Sequence, residues 1–97
     1  MLGEILAQNP GDAFARYGLA MEYSKGGNVE QAMAEFGKLL SANPDYTAGY
    51  FMAAQTLAAA GRAPEAKKML ADGIASAKRT GNAHAQSEME ALLGELP

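Results

Sequence analysis

The sequence predicts an all-α domain built from antiparallel helical hairpins. Three observations carry that expectation. Short stretches rich in glycine, proline and asparagine punctuate the chain; between them apolar residues recur at i, i+3, i+4 and i+7; and no alternating Val/Ile/Thr-rich run offers a strand. Alanine makes up roughly a fifth of the chain and inflates its 48% apolar share, which favours helix and close helix approach while contributing little hydrophobic area per residue. At 97 residues the chain is one small domain, residues 1–97.

The punctuation places five helices. The first starts near Asp12, which follows Pro10-Gly11 and can cap free amides, and stops before Gly26-Gly27, where a positive φ is cheap. Asn28 opens the second, with Gln31 three residues on completing a capping box, and this helix runs to about Ala42. Asn43-Pro44 restarts the pattern with Pro44 in the first turn of a third helix that ends at Gly61. Pro64 begins the fourth, which continues to about Arg79; Thr80-Gly81-Asn82 separates it from a fifth helix ending near Leu96. Loops of two to four residues make neighbouring helices antiparallel.

Apolar faces then assign depth. The first predicted helix carries Phe14, Tyr17 and Met21 on one stripe and Leu19, Ala20 and Tyr23 on another, so it should be contacted on two sides. The second carries one face, Val29, Ala32, Met33, Phe36, Leu39 and Leu40. The first helix of each pair is therefore expected to be sandwiched and the second to lie outside.

The stretch NPGDAFARYGLAMEY from Asn9 returns as NPDYTAGYFMAAQTL from Asn43, a period of 34 residues with two helices in each. Leu19, Ala20, Tyr23, Gly27, Ala32, Phe36 and Pro44 stand in turn at large apolar, small, aromatic, turn glycine, small, aromatic and closing proline positions, and Ala53, Ala54, Leu57, Gly61, Ala66 and Leu70 occupy the corresponding places of the second period. This pattern resembles the tetratricopeptide repeat. The resemblance implies a right-handed α-solenoid with repeat 1 at about 10–43, repeat 2 at about 44–79 and a capping helix at about 82–96. Ala20 against Ala32, and Ala54 against Ala66, would let paired helices approach closely.

Departures from that pattern are informative. The bulky aromatic expected early in the first helix of a repeat is Arg16 in one and Tyr50 in the other, and the second repeat closes with Lys78 in place of proline. A strict 34-residue count would bury His84, Ser87 and Glu88. Shifting the last helix by one residue buries Ala85, Met89 and Leu92 instead, with Leu96 extending the stripe, so the KRTGN turn should be one residue longer than usual. MLGEILAQ looks like the end of a preceding outer helix, with Pro10 as its closing proline.

Few residue patterns point to chemistry. There is no cysteine, hence no disulfide, thiolate nucleophile or cysteine zinc site. A net charge of −3 argues against nucleic acid, and the basic group Lys67, Lys68, Lys78 and Arg79 is interleaved with Glu65 and Asp72. His84 has only Glu88 within helical reach, too few ligands for a metal. The serines lack a base, and KGGN is neither preceded by a strand nor followed by a Lys-Ser/Thr pair, so it reads as a hairpin turn. No catalytic residue, cofactor or metal is expected. The N-terminus offers no basic segment or long apolar run, so no membrane association is expected and the cytoplasm is the default location.

What the resemblance implies is a protein-interaction module, not an enzyme. In that family peptides lie in the concave groove, and position by position its lining here would be Phe14, Tyr17, Met21 and Lys25, then Asp45 and Tyr46 at the turn, then Phe51 and Gln55. One branch of the family holds carboxylate termini through a lysine/asparagine/arginine clamp; Tyr17, Met21, Phe51 and Gln55 occupy those places here, so an acidic C-terminal peptide is not expected. A partner peptide or amphipathic helix suits the aromatic lining and its methionines. The same stripe could instead be covered by Ile5 and Leu6 of the N-terminal segment or by a second copy, a homodimer formed through the groove or through Leu92, Leu93 and Leu96 of the last helix.

Overall fold

The computed structural model describes residues 2–97. It contains α1 (Leu2–Gln8), α2 (Ala13–Lys25), α3 (Val29–Ala42), α4 (Thr47–Ala59), α5 (Ala63–Thr80) and α6 (Ala83–Glu95), with no strand among the described residues. The helix beyond the expected five is α1, the segment read as the end of an outer helix; it packs on α2. α2 pairs with α3 and α4 with α5, and α6 closes against α5 and α4.

Three helices end by one device. Gly27, Gly61 and Gly81 have φ of 78°, 76° and 68°, and the next residue's amide donates back to the carbonyl five residues earlier: Asn28 to Tyr23 (2.9 Å), Arg62 to Leu57 (2.9 Å), Asn82 to Ala77 (2.8 Å). This closure satisfies a carbonyl that the helix end would leave unpaired. It also corrects the expected capping box. Because the Asn28 amide is already committed to Tyr23, Gln31 has no donor to reach back to, and Asn28 makes no side-chain cap bond. Asp12 does cap α2, accepting from the Ala15 amide at 2.9 Å.

Pro44 is a second correction: it lies ahead of α4, which begins at Thr47. Asn43-Pro44 forms the first half of a turn closed by the Tyr46 amide on the Asn43 carbonyl (3.0 Å), and Asn9-Pro10 makes the same turn with Asp12 (3.1 Å). Proline's fixed φ suits the second position of such a turn as well as it suits a helix start.

The core has two centres. One joins Ala20, Ala32, Phe36, Leu39 and Ala53, the other Tyr50, Ala54, Leu70, Ala77 and Met89. Ala20, Ala32, Ala54 and Ala66 are fully buried, as close helix pairing requires. At Gly73 the approach is tighter still, since a Cβ there would meet Met89 Sδ at 2.5 Å and Tyr50 Cβ at 2.6 Å. The shifted register of α6 is the one observed: Met89 is buried, Ala85 and Leu92 pack beside it, and His84 and Glu88 lie outside the core with Nε2 and Oε1 2.9 Å apart. Lacking a proline at position 78, α5 runs on to Thr80 and is 18 residues long where α3 has 14.

The expected sandwiching holds for α4 and not for α2. α4 buries Thr47, Gly49, Tyr50, Ala53, Ala54, Thr56 and Leu57, whereas α2 buries only Ala15 and Ala20, because the short α1 covers little of its outer flank.

Candidate functional site

The helices that open each hairpin stand side by side, so α2 and α4 share a seam, and α4 and α6 share the next. At one end of the first seam the Tyr17 and Tyr46 rings are 5.4 Å apart and inclined at 42°. At the other end Thr56 Oγ1 donates to the Met52 carbonyl (2.8 Å), which leaves its oxygen to accept from Ser24 Oγ at 2.7 Å. Past these ties in both directions, this face of α2 runs about 20 Å from Asp12 to Lys25 at 1.5 Å per residue.

Each expected lining residue has a definite place. Phe14 is 77% exposed, the most open large apolar side chain of the described residues. Tyr17, Met21 and Tyr46 are half-buried with their inner sides on the first core centre. Lys25 is exposed in the last turn of α2. Phe51 is half-buried on the second core centre and walls a cleft of about 230 Å³ with Ala48, Ala85, His84 and Glu88 across the α4–α6 seam. Gln55 is exposed and lines a second cleft of about 230 Å³ with Met52, Thr56, Ser24 and Val29. Asp45 is engaged elsewhere: its Oδ1 accepts from Arg79 Nη2 (2.6 Å), Arg79 Nε (3.0 Å) and Ser76 Oγ (3.1 Å).

Electrostatics follow these contacts. The Arg79 hydrogen bonds hold the Asp45 carboxyl below its ordinary value against partial desolvation. Burial raises Tyr17 and Tyr46, helped by the Tyr46 neighbour in the first case and by the Asp12 carboxylate in the second. Both are therefore neutral phenols near pH 7. Ile5 and Leu6 do not screen Phe14; Leu6 is buried, Ile5 is 41% exposed, and Leu2 packs over Gly18. Among the described residues no group of three or more metal-ligating side chains occurs, and no helix is long and apolar enough to cross a membrane.

Sequence reasoning missed the pairing of Ser24 with Thr56. Ser24 and Thr56 are 32 residues apart, off the 34-residue period, so comparing repeats does not pair them. Asp45 and Arg79 are 34 apart, and opposite charges at one repeat position were the available signal for their bond.

A family model described as the tetratricopeptide repeat matches residues 1–50 and again residues 25–96. The chain belongs to the tetratricopeptide repeat family. A TPR repeat-containing protein of Pseudomonas aeruginosa is 30% identical over 95 residues, covering 98% of this chain and 90% of its own length. A tetratricopeptide repeat domain protein from Salinibacter ruber, solved in solution, superposes with a TM-score of 0.82 at 31% identity, over 90% of this chain and 88% of that one. A Bordetella parapertussis protein shares the fold with a TM-score of 0.84 at 22% identity, over 97% and 82% of the two chains. Tetratricopeptide repeats serve generally as non-enzymatic scaffolds for protein–protein interaction.

Proposed function

We propose that this chain is a non-enzymatic interaction module of the cytoplasm whose α2–α4 groove holds a peptide or amphipathic helix from a partner protein. One observation carries the reading: Phe14 stands open beside half-buried Tyr17, Tyr46 and Met21, and none of the six helices covers it. An open aromatic ring offers a partner apolar area whose burial would contribute about 25 cal/mol per Å². The groove's length of about 20 Å matches a helix of roughly 13 residues or an extended segment of roughly six. The two clefts flanking α4 each have room for one apolar side chain.

A homodimer through the last helix has less support, because Leu92, Leu93 and Leu96 pack on the chain's own second core centre. A test selects binders from a random peptide library and maps them by NMR. Bound peptides should shift the Met21 and Met52 methyls, and Phe14→Glu with Gln55→Glu, both at exposed positions, should weaken them at least about tenfold without loss of helicity. Binders that leave those methyls unmoved and ignore the double variant would remove the groove from consideration. Light scattering over a range of concentrations separates the homodimer, which requires a mass that rises with concentration.

A further inference from the structure

The end of the groove where α2 and α4 begin has a chemistry distinct from the rest. Tyr17 and Tyr46 stand ring to ring, and Phe14, three residues before Tyr17, shares its face of α2. Asp12 stands beside them at the cap of α2. Its Oδ1 accepts the Ala15 amide, and its charge reaches the Tyr46 hydroxyl, whose pKa is raised by burial first and by Asp12 second.

Two cations, Arg16 and Lys38, line a small cleft with Asp12, but both are drawn to Glu35. All three arginines are engaged elsewhere: Arg16 with Glu35 and the Pro10 carbonyl, Arg62 with Glu30 and Glu65, Arg79 with Asp45. Among the described residues no basic side chain pairs with Asp12, although Arg16 lies only one turn along α2. Aromatic faces carry a negative quadrupole that attracts cations, most strongly where water is partly excluded. The partial positive charge of the α2 terminus is opposed by the whole charge of Asp12.

We infer that this end of the groove takes an arginine side chain of the bound peptide, its guanidinium lying on the Phe14, Tyr17 and Tyr46 rings and its charge met by Asp12. This deepens the groove reading and rests on it for the peptide. Arginine is favoured over lysine because its planar, weakly hydrated group stacks on rings while its N–H edge still reaches a carboxylate. Lys25, at the far end of α2, gives the groove an opposite charge there, so a ligand with its basic residue at one end has one favoured direction.

The test uses the full chain and two probes. N-acetyl-arginine amide should shift the Tyr17 and Tyr46 ring resonances saturably, while the norleucine and glutamate analogues should not. In the library-selected peptides arginine should be enriched, and replacing it by citrulline should weaken binding about three- to tenfold. Asp12→Asn, which keeps an N-cap of equal quality, should leave the melting temperature unchanged and remove most of that difference. Equal shifts by norleucine amide, a preference for the glutamate analogue, or peptides that occupy the groove with no response to citrulline would overturn the arginine site and leave the groove standing. Arginine amide acting on the tyrosines while no peptide reaches Met21 would retain the cation site and overturn the groove.

Discussion

The two hairpins, built on one 34-residue pattern, have divided their tasks. At matching positions the first has Arg16 and Leu39, the second Tyr50 and Gly73. Arg16 and Tyr50 both donate to a proline carbonyl six residues back, Pro10 at 3.2 Å and Pro44 at 2.7 Å, so each pins its helix to the preceding turn. They differ in what surrounds them. Tyr50 is 8% exposed and lies against Gly73, whose missing side chain makes room for it; Leu39 supplies the bulk in the first hairpin from the opposite helix. On the groove face the contrast reverses, with Phe14 in the first hairpin and Ala48 in the second. The second hairpin carries more of the packing and the first more of the exposed aromatic surface.

Exchanging the demands of the matched positions breaks this division most strongly. Leu39→Ala empties a fully buried site and should cost about 2–5 kcal/mol, whereas adding a single methyl at the matching position, Gly73→Ala, should cost about 1–3 kcal/mol by forcing Tyr50 and Met89 apart. Thermal or denaturant unfolding of both variants checks this. A neutral Gly73→Ala would mean that the α4–α5 seam relaxes freely, and the second hairpin would lose its role as the tighter one.

A smaller effect is expected from the pin itself. Tyr50→Phe keeps the ring among Ala54, Leu70 and Met89 and removes only the bond to the Pro44 carbonyl, so about 1 kcal/mol should be lost. The loss should appear in urea midpoints with an unchanged slope. Phe14→Ala, by contrast, should leave stability within about 0.5 kcal/mol, because an exposed ring contributes little to the folded state.

Much of this fold was legible because its signals are local. Glycine at 27, 61 and 81 marks helix ends wherever a positive φ is needed, and only one register of the last helix buries Met89. The missed features depend on contacts between elements. Asn28 could not be told from a side-chain cap without knowing that its amide turns back to Tyr23. The Ser24–Thr56 tie crosses a seam off the repeat period. In the groove, Phe14 and Tyr17 follow from helical spacing, but the stacking of Tyr46 on Tyr17 depends on how the turn from Asn43 aims it. Asp45 belongs to that turn too, and its commitment to Arg79 follows from the extension of α5 past position 78, which brings the arginine within reach.

That extension gives the subtlest contrast between the hairpins, because α3 stops where α5 continues and only α5 gains an ion pair from it. Asp45 has a lowered pKa in the folded chain, so its contribution is present above the unfolded value and is lost as pH falls through the folded one. Both groups are about half exposed, and the expected effect is local. Amide exchange in the last turn of α5, at Ala77 to Thr80, should speed up as pH drops below the ordinary carboxylate value of 3.8, after correction for intrinsic rates, while the end of α3 shows no matching change. Arg79→Gln should move the Asp45 titration upward toward that value, since the guanidinium hydrogen bonds are the largest cause of its shift. An Asp45 midpoint unmoved by Arg79→Gln would assign the lowering to Ser76 alone, and the longer α5 would then owe its last turn to the Gly81 closure, not to the ion pair.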